Sequence, residues 1–356
     1  LQVWKRFERC PSVLEAGRTW EWTIKLRLFL LLIVAGCFAL YYRYFRHPAQ
    51  PRAPTEVAYA LPPTLNVEDT PAVLRRTIAT VPNGTKLLVL GRTEHWAHVR
   101  LQNGIEGWAP LESLQSAGPF DKGLALFRQL GNEQVQAVGH TDTEVNLHLE
   151  PSRDAPALAH LAQNVHIEVF DRRLVPRQPQ LSQSRATGVK DVWYLVRTAD
   201  RAGWMLGRFV DLDVPPGIAA YAQGVNLVAW LVLDTVNDSG HEVPQYVAAD
   251  RIRTKDFDFN HIRVFTWWIK RHKYVTAYVQ GGVNGYFPIR VTHIGSVPYF
   301  RLRLVDDDGN HVQKVYGLFD TIVKTIGTVP AWNSDAMPAK PEHNTAGRRR
   351  LRRRRP

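Results

Sequence analysis

Two short stretches decide the reading of this chain: Trp96-Ala-His-Val-Arg100, followed by Gly107-Trp108, and Trp193-Tyr-Leu-Val-Arg197, followed by Gly203-Trp204. Trp-x-x-Val-Arg recurs in both, and Gly-Trp follows the first Trp by eleven positions in one copy and ten in the other. Around each lie short alternating runs: Ile78-Ala-Thr-Val81 and Lys86-Leu-Leu-Val-Leu90 in the first copy, Val165-His-Ile-Glu-Val169 in the second. Turn residues such as Asn83-Gly84 and Asn103-Gly104 break them. Period-two alternation between turn signals predicts strands. The internal repeat predicts two copies of one β unit, at 57–117 and 140–214, the second carrying a Pro/Gln/Ser-rich insertion at 174–188.

Working outward, Phe120 to Gly131 places Leu124, Phe127 and Leu130 on one helical face, predicting an amphipathic helix within a connector at 118–139. Beyond the second copy, 215–330 holds strand-like runs at Asn226–Thr235, Gln245–Ile252, Ile262–Lys270, Tyr274–Val279, Tyr286–His293, Tyr299–Val305 and Lys314–Phe319. Short breakers, among them Gly281-Gly282 and Asp306-Asp-Asp-Gly309, separate them. That spacing predicts an antiparallel meander closing into a barrel or sandwich.

The 356 residues carry 45 Lys/Arg against 33 Asp/Glu, a formal charge of +12. Its distribution decides its meaning. Leu1 to Arg52 hold nine bases and three acids, Arg348 to Pro356 hold seven Arg and no acid, and the 29 bases and 30 acids between them leave the body at −1. A nucleic-acid-binding domain carries its basic stripe on the fold itself, so nucleic acid is an improbable partner. With 45% apolar and 22% charged residues the composition is globular. The two cysteines, Cys10 and Cys37, both precede the body, which excludes a disulfide framework and a Cys-rich metal site.

Leu28 to Tyr42 (LFLLLIVAGCFALYY) is an uncharged run between Lys25/Arg27 and Arg43/Arg46. Fifteen helical residues cover about 22 Å of a ~30 Å hydrocarbon layer, and extension to 24–45 spans it if Arg27 and Arg43 snorkel. Tyr41, Tyr42 and Tyr44 would form an interfacial belt. The flanking charge predicts a cytoplasmic N-terminus and a single-pass cell-membrane protein whose bulk lies outside the cytoplasm. A competing reading takes Val34-Ala-Gly-Cys37 as a lipobox, with Cys37 the lipid attachment point. Residues 1–23 are then a cytoplasmic segment or a misassigned start, the first Met being Met205. The Pro-rich stretch at 46–56 reads as an extended spacer.

The repeated Trp and Gly-Trp pattern resembles the bacterial SH3-like (SH3b) domain, in which a W-x-x-V strand precedes G-x-x-G-W-V. Trp96 to Val99 with Gly104-Ile-Glu-Gly107-Trp108 carries the resemblance in the first copy, Trp193 to Val196 with Gly203-Trp204 in the second. The resemblance implies two SH3-like small barrels and a cell-wall ligand, peptide or glycan. SH3b modules accompany Cys/His peptidases, but the body here has no Cys to serve as nucleophile.

The expected architecture is therefore mainly β: an N-terminal membrane helix, two SH3-like barrels, a C-terminal antiparallel β-domain, and a disordered tail at 331–356. The expected function is non-enzymatic binding or scaffolding in the periplasm, with no cofactor and no metal. Ligand-binding candidates are Trp96, Trp108, Trp193, Trp204, Trp267 and Trp268. Against that role, Trp96 and Trp193 would fill the barrel cores and Trp108 and Trp204 pack at barrel ends. Adjacent Trp267 and Trp268 must face opposite sides of a sheet. Arg348, Arg349, Arg350, Arg352, Arg353, Arg354 and Arg355 are candidates for an anionic surface, or an inert solubilising tail. The enzymatic alternative places a site in the C-terminal β-domain, with Asp256, Asp258 and His261 as nominees. His95 and His98 read as a solvated strand face, and Asp306, Asp308 and Asn310 as a hairpin turn without the Glu a calcium loop needs. Oligomeric state is left open.

Overall fold

The structure is a computed structural model, and its described residues are 33–35, 37, 56–177, 190–251, 257–330, 332, 337 and 338. The chain divides into two compact units, Leu1–Thr55 and Glu56–Pro356. In the first, Ile33–Ala35 and Cys37 are helical and exposed. No helix among the described residues is long and apolar enough to cross a membrane. The span expected at 24–45 lies, apart from those four positions, outside the described residues, as does the Arg tail.

The second unit is built of three seven-stranded antiparallel sheets. The first contains β1 (Glu56–Ala60), β2 (Thr64–Glu68), β3 (Thr77–Pro82), β4 (Lys86–Arg92), β5 (Trp96–Arg100), β6 (Glu106–Pro110) and β7 (Leu114–Ser116), in the order β3-β2-β6-β5-β4-β1-β7. The second contains β8 (Ala137–Thr141), β9 (Val145–His148), β10 (Ala157–Leu161), β11 (His166–Pro176), β12 (Lys190–Arg197), β13 (Ala202–Leu206) and β14 (Val210–Leu212), in the order β10-β9-β13-β12-β11-β8-β14. Strand for strand the two orders are identical, so the repeat in sequence is a repeat in topology.

The Gly of each Gly-Trp explains why the motif recurs. A Cβ on Gly107 would lie 2.7 Å from the Glu68 carbonyl oxygen, and one on Gly203 2.9 Å from that of His148. Both mark the place where β6 or β13 crosses close to β2 or β9, pairing there through Glu68 with Trp108 and His148 with Trp204. Only glycine permits that approach.

Between the two sheets runs α1 (Ala117–Leu130). Leu130 packs with Phe170 and Ala202 of the second sheet, and Gly123 lies against Leu158. Phe120 stacks on Tyr59 of the first sheet with ring centroids 3.7 Å apart, so the helix grips both.

The third sheet follows the four-residue helix α2 (Pro216–Ala219) and is a simple meander: β15 (Asn226–Asp238), β16 (His241–Arg251), β17 (Phe259–Trp268), β18 (Lys273–Ile294), β19 (Val297–Val305), β20 (His311–Phe319) and β21 (Ile322–Pro330). Two runs expected as separate strands, Tyr274–Val279 and Tyr286–His293, form the single strand β18, and the sheet's last strand, β21, was not anticipated. Gly281-Gly282 does not end β18. The register against β17 slips between His261↔Gly281 and Phe259↔Gly285, so the glycines make a bulge that bends the strand without breaking it. Gly282 sits at φ +74, and Gly285 leaves room for the Phe259 ring, which a Cβ there would meet at 2.0 Å.

The second and third sheets share one hydrophobic core. Leu147, Ile167, Tyr194 and Met205 cluster with Trp230, Tyr246, Phe265 and Tyr274, and with Ile218 of α2. The other face of the third sheet closes over Leu231, Phe259, Ile262, Ile289, Phe300 and Tyr316. Both faces of β15 are covered from Leu227 to Leu231, which is why it reads Leu227-Val-Ala-Trp-Leu231 there rather than alternating.

Beyond its bulge β18 no longer pairs with β17, and side chains supply the partners. Phe287 N donates to Asp258 Oδ2 (3.1 Å). Ile289 N donates to Gln136 Oε1 (2.7 Å) while Gln136 Nε2 donates to Ile289 O (3.0 Å). Val291 N donates to Gln134 Oε1 (2.8 Å) and Gln134 Nε2 to Val291 O (2.7 Å). A primary amide carries one acceptor oxygen and donor hydrogens, so each Gln pairs as a strand residue would. The Gln136 main chain bridges further, donating to Val169 O and accepting from Trp230 N (both 2.8 Å). Asp258 is itself held by Arg172 Nη1 (2.8 Å), both side chains being nearly inaccessible at 8% and 2%.

Gln136→Leu keeps the volume but leaves the buried N–H and C=O of Ile289 unpaired. Each such group costs about 1–3 kcal/mol, so urea denaturation should show a loss of about 2–5 kcal/mol. A loss within about 0.5 kcal/mol, the size of an ordinary surface substitution, would show that the edge finds other partners.

Candidate functional site

On β5 and β6 the two-residue period sorts side chains cleanly. Ala97, Val99 and Ala109 enter the first core. Trp96, His98 and Arg100 of β5 face outward with Trp108, Glu106 and Pro110 of β6, paired Trp96↔Pro110, His98↔Trp108 and Arg100↔Glu106. The His98 ring stacks on Trp108 with centroids 5.0 Å apart. The Arg75 guanidinium lies 5.0 Å from the Trp96 ring centre. Arg100 and Glu106 form an ion pair at 2.6 Å, and His98 Nε2 lies 3.7 Å from Glu106 Oε2. The result is a half-buried aromatic strip flanked by two guanidiniums and a carboxylate. Its flat rings can stack on a sugar or a planar peptide unit, and Arg75 can meet a carboxylate.

The expectation that Trp96 and Trp193 fill the barrel cores is corrected here. Residues one position on, Ala97 and Tyr194, take the inward places, because Val99 and Val196 fix the register of the inward face. The Trp residues belong to the outer faces.

The corresponding strip of the second sheet is closed. Trp193 and Trp204 are 2% and 6% exposed and cluster with Leu206, Val175, Leu195 and Phe209. The Arg173 guanidinium lies 4.7 Å from the Trp204 ring centre, and the His148 ring meets Trp193 edge-on at 5.6 Å. Strands β11 and β12 provide this cover by extending to Pro176 and from Lys190. Asp191 at the start of β12 is bound by Arg177 (2.6 Å) and Arg153 (3.2 Å). The hydrogen bond from Arg177 leads in holding its carboxyl below the usual range. Part of the expected insertion is therefore strand; its residues 178–189 lie outside the described residues.

Trp267 and Trp268 divide as adjacent strand residues must. Trp267 packs against the shared core and donates from Nε1 to Asp238 Oδ2 at 2.7 Å. Trp268 is exposed beneath the Arg271 guanidinium, 4.5 Å from its ring centre. The six Trp candidates thus lie in four separate places.

The nominees for catalysis do not converge. Asp258 is committed to Arg172 and Phe287 N, and Asp256 lies outside the described residues. His261 Nδ1 is 3.8 Å from Asp250, whose carboxylate also holds Arg263 at 2.6 Å. Among the described residues no three His, Cys, Asp or Glu side chains gather as a metal site. No local motif announced a cavity of about 720 Å³ between the first two sheets, lined by Pro82, Asn83, Phe127, His160, Glu168 and Arg197 among others. Its residues come from distant stretches, and Arg197 is paired there with Glu168 at 2.7 Å.

No family model matches this chain, and no curated protein matches it. Among solved structures it is similar to NlpC2 from Trichomonas vaginalis, at 15% identity over 45% of this chain and 48% of that one, with a TM-score of 0.17. NlpC1 from the same organism gives 10% identity over 82% and 98%, TM-score 0.17. An NlpC/P60 family protein from Bacillus cereus gives 13% over 51% and 65%, TM-score 0.20. The chain spans about half the length of NlpC2. At TM-scores this low nothing about fold or activity passes from those proteins to this one.

Where the second and third sheets meet, Asp171 accepts from Arg172 N at 2.8 Å and lies 3.7 Å from Arg173 Nε. Burial pushes its carboxyl up to about 6, with the nearby Asp258 charge adding to the rise and Arg173 and Arg303 opposing it. A carboxyl raised in the folded state favours folding while it stays protonated. Its contribution is complete below the ordinary value of 3.8 and is lost as pH rises through about 6. Stability should therefore fall between pH 4 and 6.5, by on the order of 2 kcal/mol. Asp171→Asn should flatten that slope in thermal melts; an unchanged slope would place the titration elsewhere.

Proposed function

We propose that this chain is a membrane-anchored, exported envelope protein that binds cell-wall peptidoglycan without catalysing a reaction. The outer strip of the first sheet, Trp96, His98 and Trp108 with Arg75, is the binding surface. The observation that carries the reading is the contrast between the two copies: Trp96 and Trp108 stay half-buried, with Arg75 and His98 against their rings, while Trp193 and Trp204 are buried under Val175, Phe209 and Arg173. A peptide stem offers carboxylates to Arg75 and its glycan offers ring faces to the indoles. The SH3-like resemblance of both copies and their shared strand order support the same assignment, with the second copy serving as a scaffold for the third sheet.

The test is retention of the Glu56–Pro356 unit on purified insoluble peptidoglycan. Trp96→Ala with Trp108→Ala should lower retention about tenfold or more, in line with two aromatic contacts at about 1 kcal/mol each. No retention of the parent protein above an unrelated control would overturn the assignment.

The anchor is a single helix at 24–45 in this reading, with lipid on Cys37 as the alternative. Metabolic labelling with a palmitate analogue separates them. The helix predicts no label that disappears on Cys37→Ala, and a Cys37-dependent label would replace it with the lipid.

A further inference from the structure

The hairpin between β17 and β18 ends in Trp268-Ile-Lys-Arg-His-Lys273, six consecutive exposed residues. Two large apolar side chains are exposed, Trp268 at 39% beneath the Arg271 guanidinium and Ile269 at 49%. The other four are Lys270, Arg271, His272 and Lys273, and the tip contains no acid. The body from 53 to 347, which bears the tip, carries 29 bases and 30 acids, so this is a local concentration of positive charge.

The tip is held in shape. Ile269–Arg271 form one 3-10 turn, closed by His272 at φ 45 and ψ 49, a left-handed conformation uncommon for a residue with a side chain. Asp238 of the adjoining β15–β16 hairpin fixes it, accepting from His272 Nδ1 at 2.5 Å and from Trp267 Nε1 at 2.7 Å. That carboxylate is buried and engaged, and the neighbouring Glu242 accepts from Asn237. No salt bridge between the tip's lysines or Arg271 and either acid accompanies this arrangement among the described residues.

A soluble polyanion would use the cations and leave Ile269 in water. An apolar protein partner would bury Trp268 and Ile269 but strand Lys270, Arg271 and Lys273. A bilayer bearing anionic headgroups satisfies all five: the indole ring settles at headgroup level, an aliphatic side chain enters the acyl boundary, and Lys and Arg reach the phosphates. We propose that the β17–β18 tip docks on an anionic phospholipid surface, Trp268 and Ile269 entering it and Lys270, Arg271 and Lys273 lying over lipid phosphates. This contact is independent of the N-terminal anchor and of the wall-binding strip.

The Glu56–Pro356 unit contains no cysteine, so Ile269→Cys introduces a single thiol for an environment-sensitive dye. The same dye on Asp308→Cys, at the exposed β19–β20 turn, reports recruitment that does not involve the tip. With vesicles of mixed phosphatidylglycerol and phosphatidylcholine, the dye at 269 should shift to the blue and be quenched by brominated acyl chains, while the dye at 308 stays unchanged. Lys270→Gln with Arg271→Gln should lower partitioning about 30-fold, since each basic residue near such a surface contributes about fivefold. Vesicle binding without a shift at 269, equal shifts at 269 and 308, or partitioning unaffected by the double substitution would each overturn the proposal. So would binding of inorganic polyphosphate as tight as that of the vesicles, since that would make the tip a phosphate site without insertion.

Discussion

The structure of the Glu56–Pro356 unit turns on how the bare edge of β18 is satisfied. A strand whose edge is buried cannot leave its main-chain N–H and C=O groups unpaired. Ile289 and its neighbours nevertheless have no strand beside them on that edge. Gln134 and Gln136 each present a two-way amide to it, and Asp258 serves Phe287 N, so three side chains stand in for a β-strand at the alternate positions 287, 289 and 291. The arrangement also fixes the Asp258–Arg172 ion pair and the shared core, since all three depend on the second and third sheets meeting in one register. Burial pushes the Asp258 carboxyl up against the pull of Arg172. The pair is therefore better understood as fixing which groups meet than as a large source of stability.

Much of the β architecture was legible in the sequence because its signals are local. Alternation and turn residues marked β3, β4 and β5 of the first sheet and β11 and β12 of the second, and the repeated Gly-Trp marks a crossing that a Cβ would block. The side on which each Trp lies was not legible. Trp96 and Ala97 are neighbours on one strand, and only the register shows which of them faces the core. Gly281-Gly282 looked like a terminator because a bulge and a turn use the same residue. Ile322–Pro330 lacked the strong alternation of its neighbours and was missed. Gln134 and Gln136 carried no signal at all, since two polar residues in a connector become strand partners only through contacts more than 150 positions away.

The two copies show how a repeated unit divides its tasks. The same outer strip carries His98 beside Trp108 in the first copy and Leu195 beside Trp204 in the second, as the pairings show. A ring that can hydrogen-bond has been retained where solvent reaches it, and an aliphatic chain occupies the sealed place. Longer β11 and β12 complete the closure, and the inner face of the second sheet is given over to the third.

The glutamine pairing also bears on how the chain is assembled during synthesis. Gln136 meets Ile289 across 153 positions, and closing so long a loop is slow compared with forming a hairpin. A ribosome that has completed the second sheet has not yet produced either β18 or the strands that cover Leu147, Ile167 and Met205. Until those strands emerge, that apolar face has no partner within the chain. A chain built this way must be kept from aggregating over the interval between making its second sheet and finishing its third.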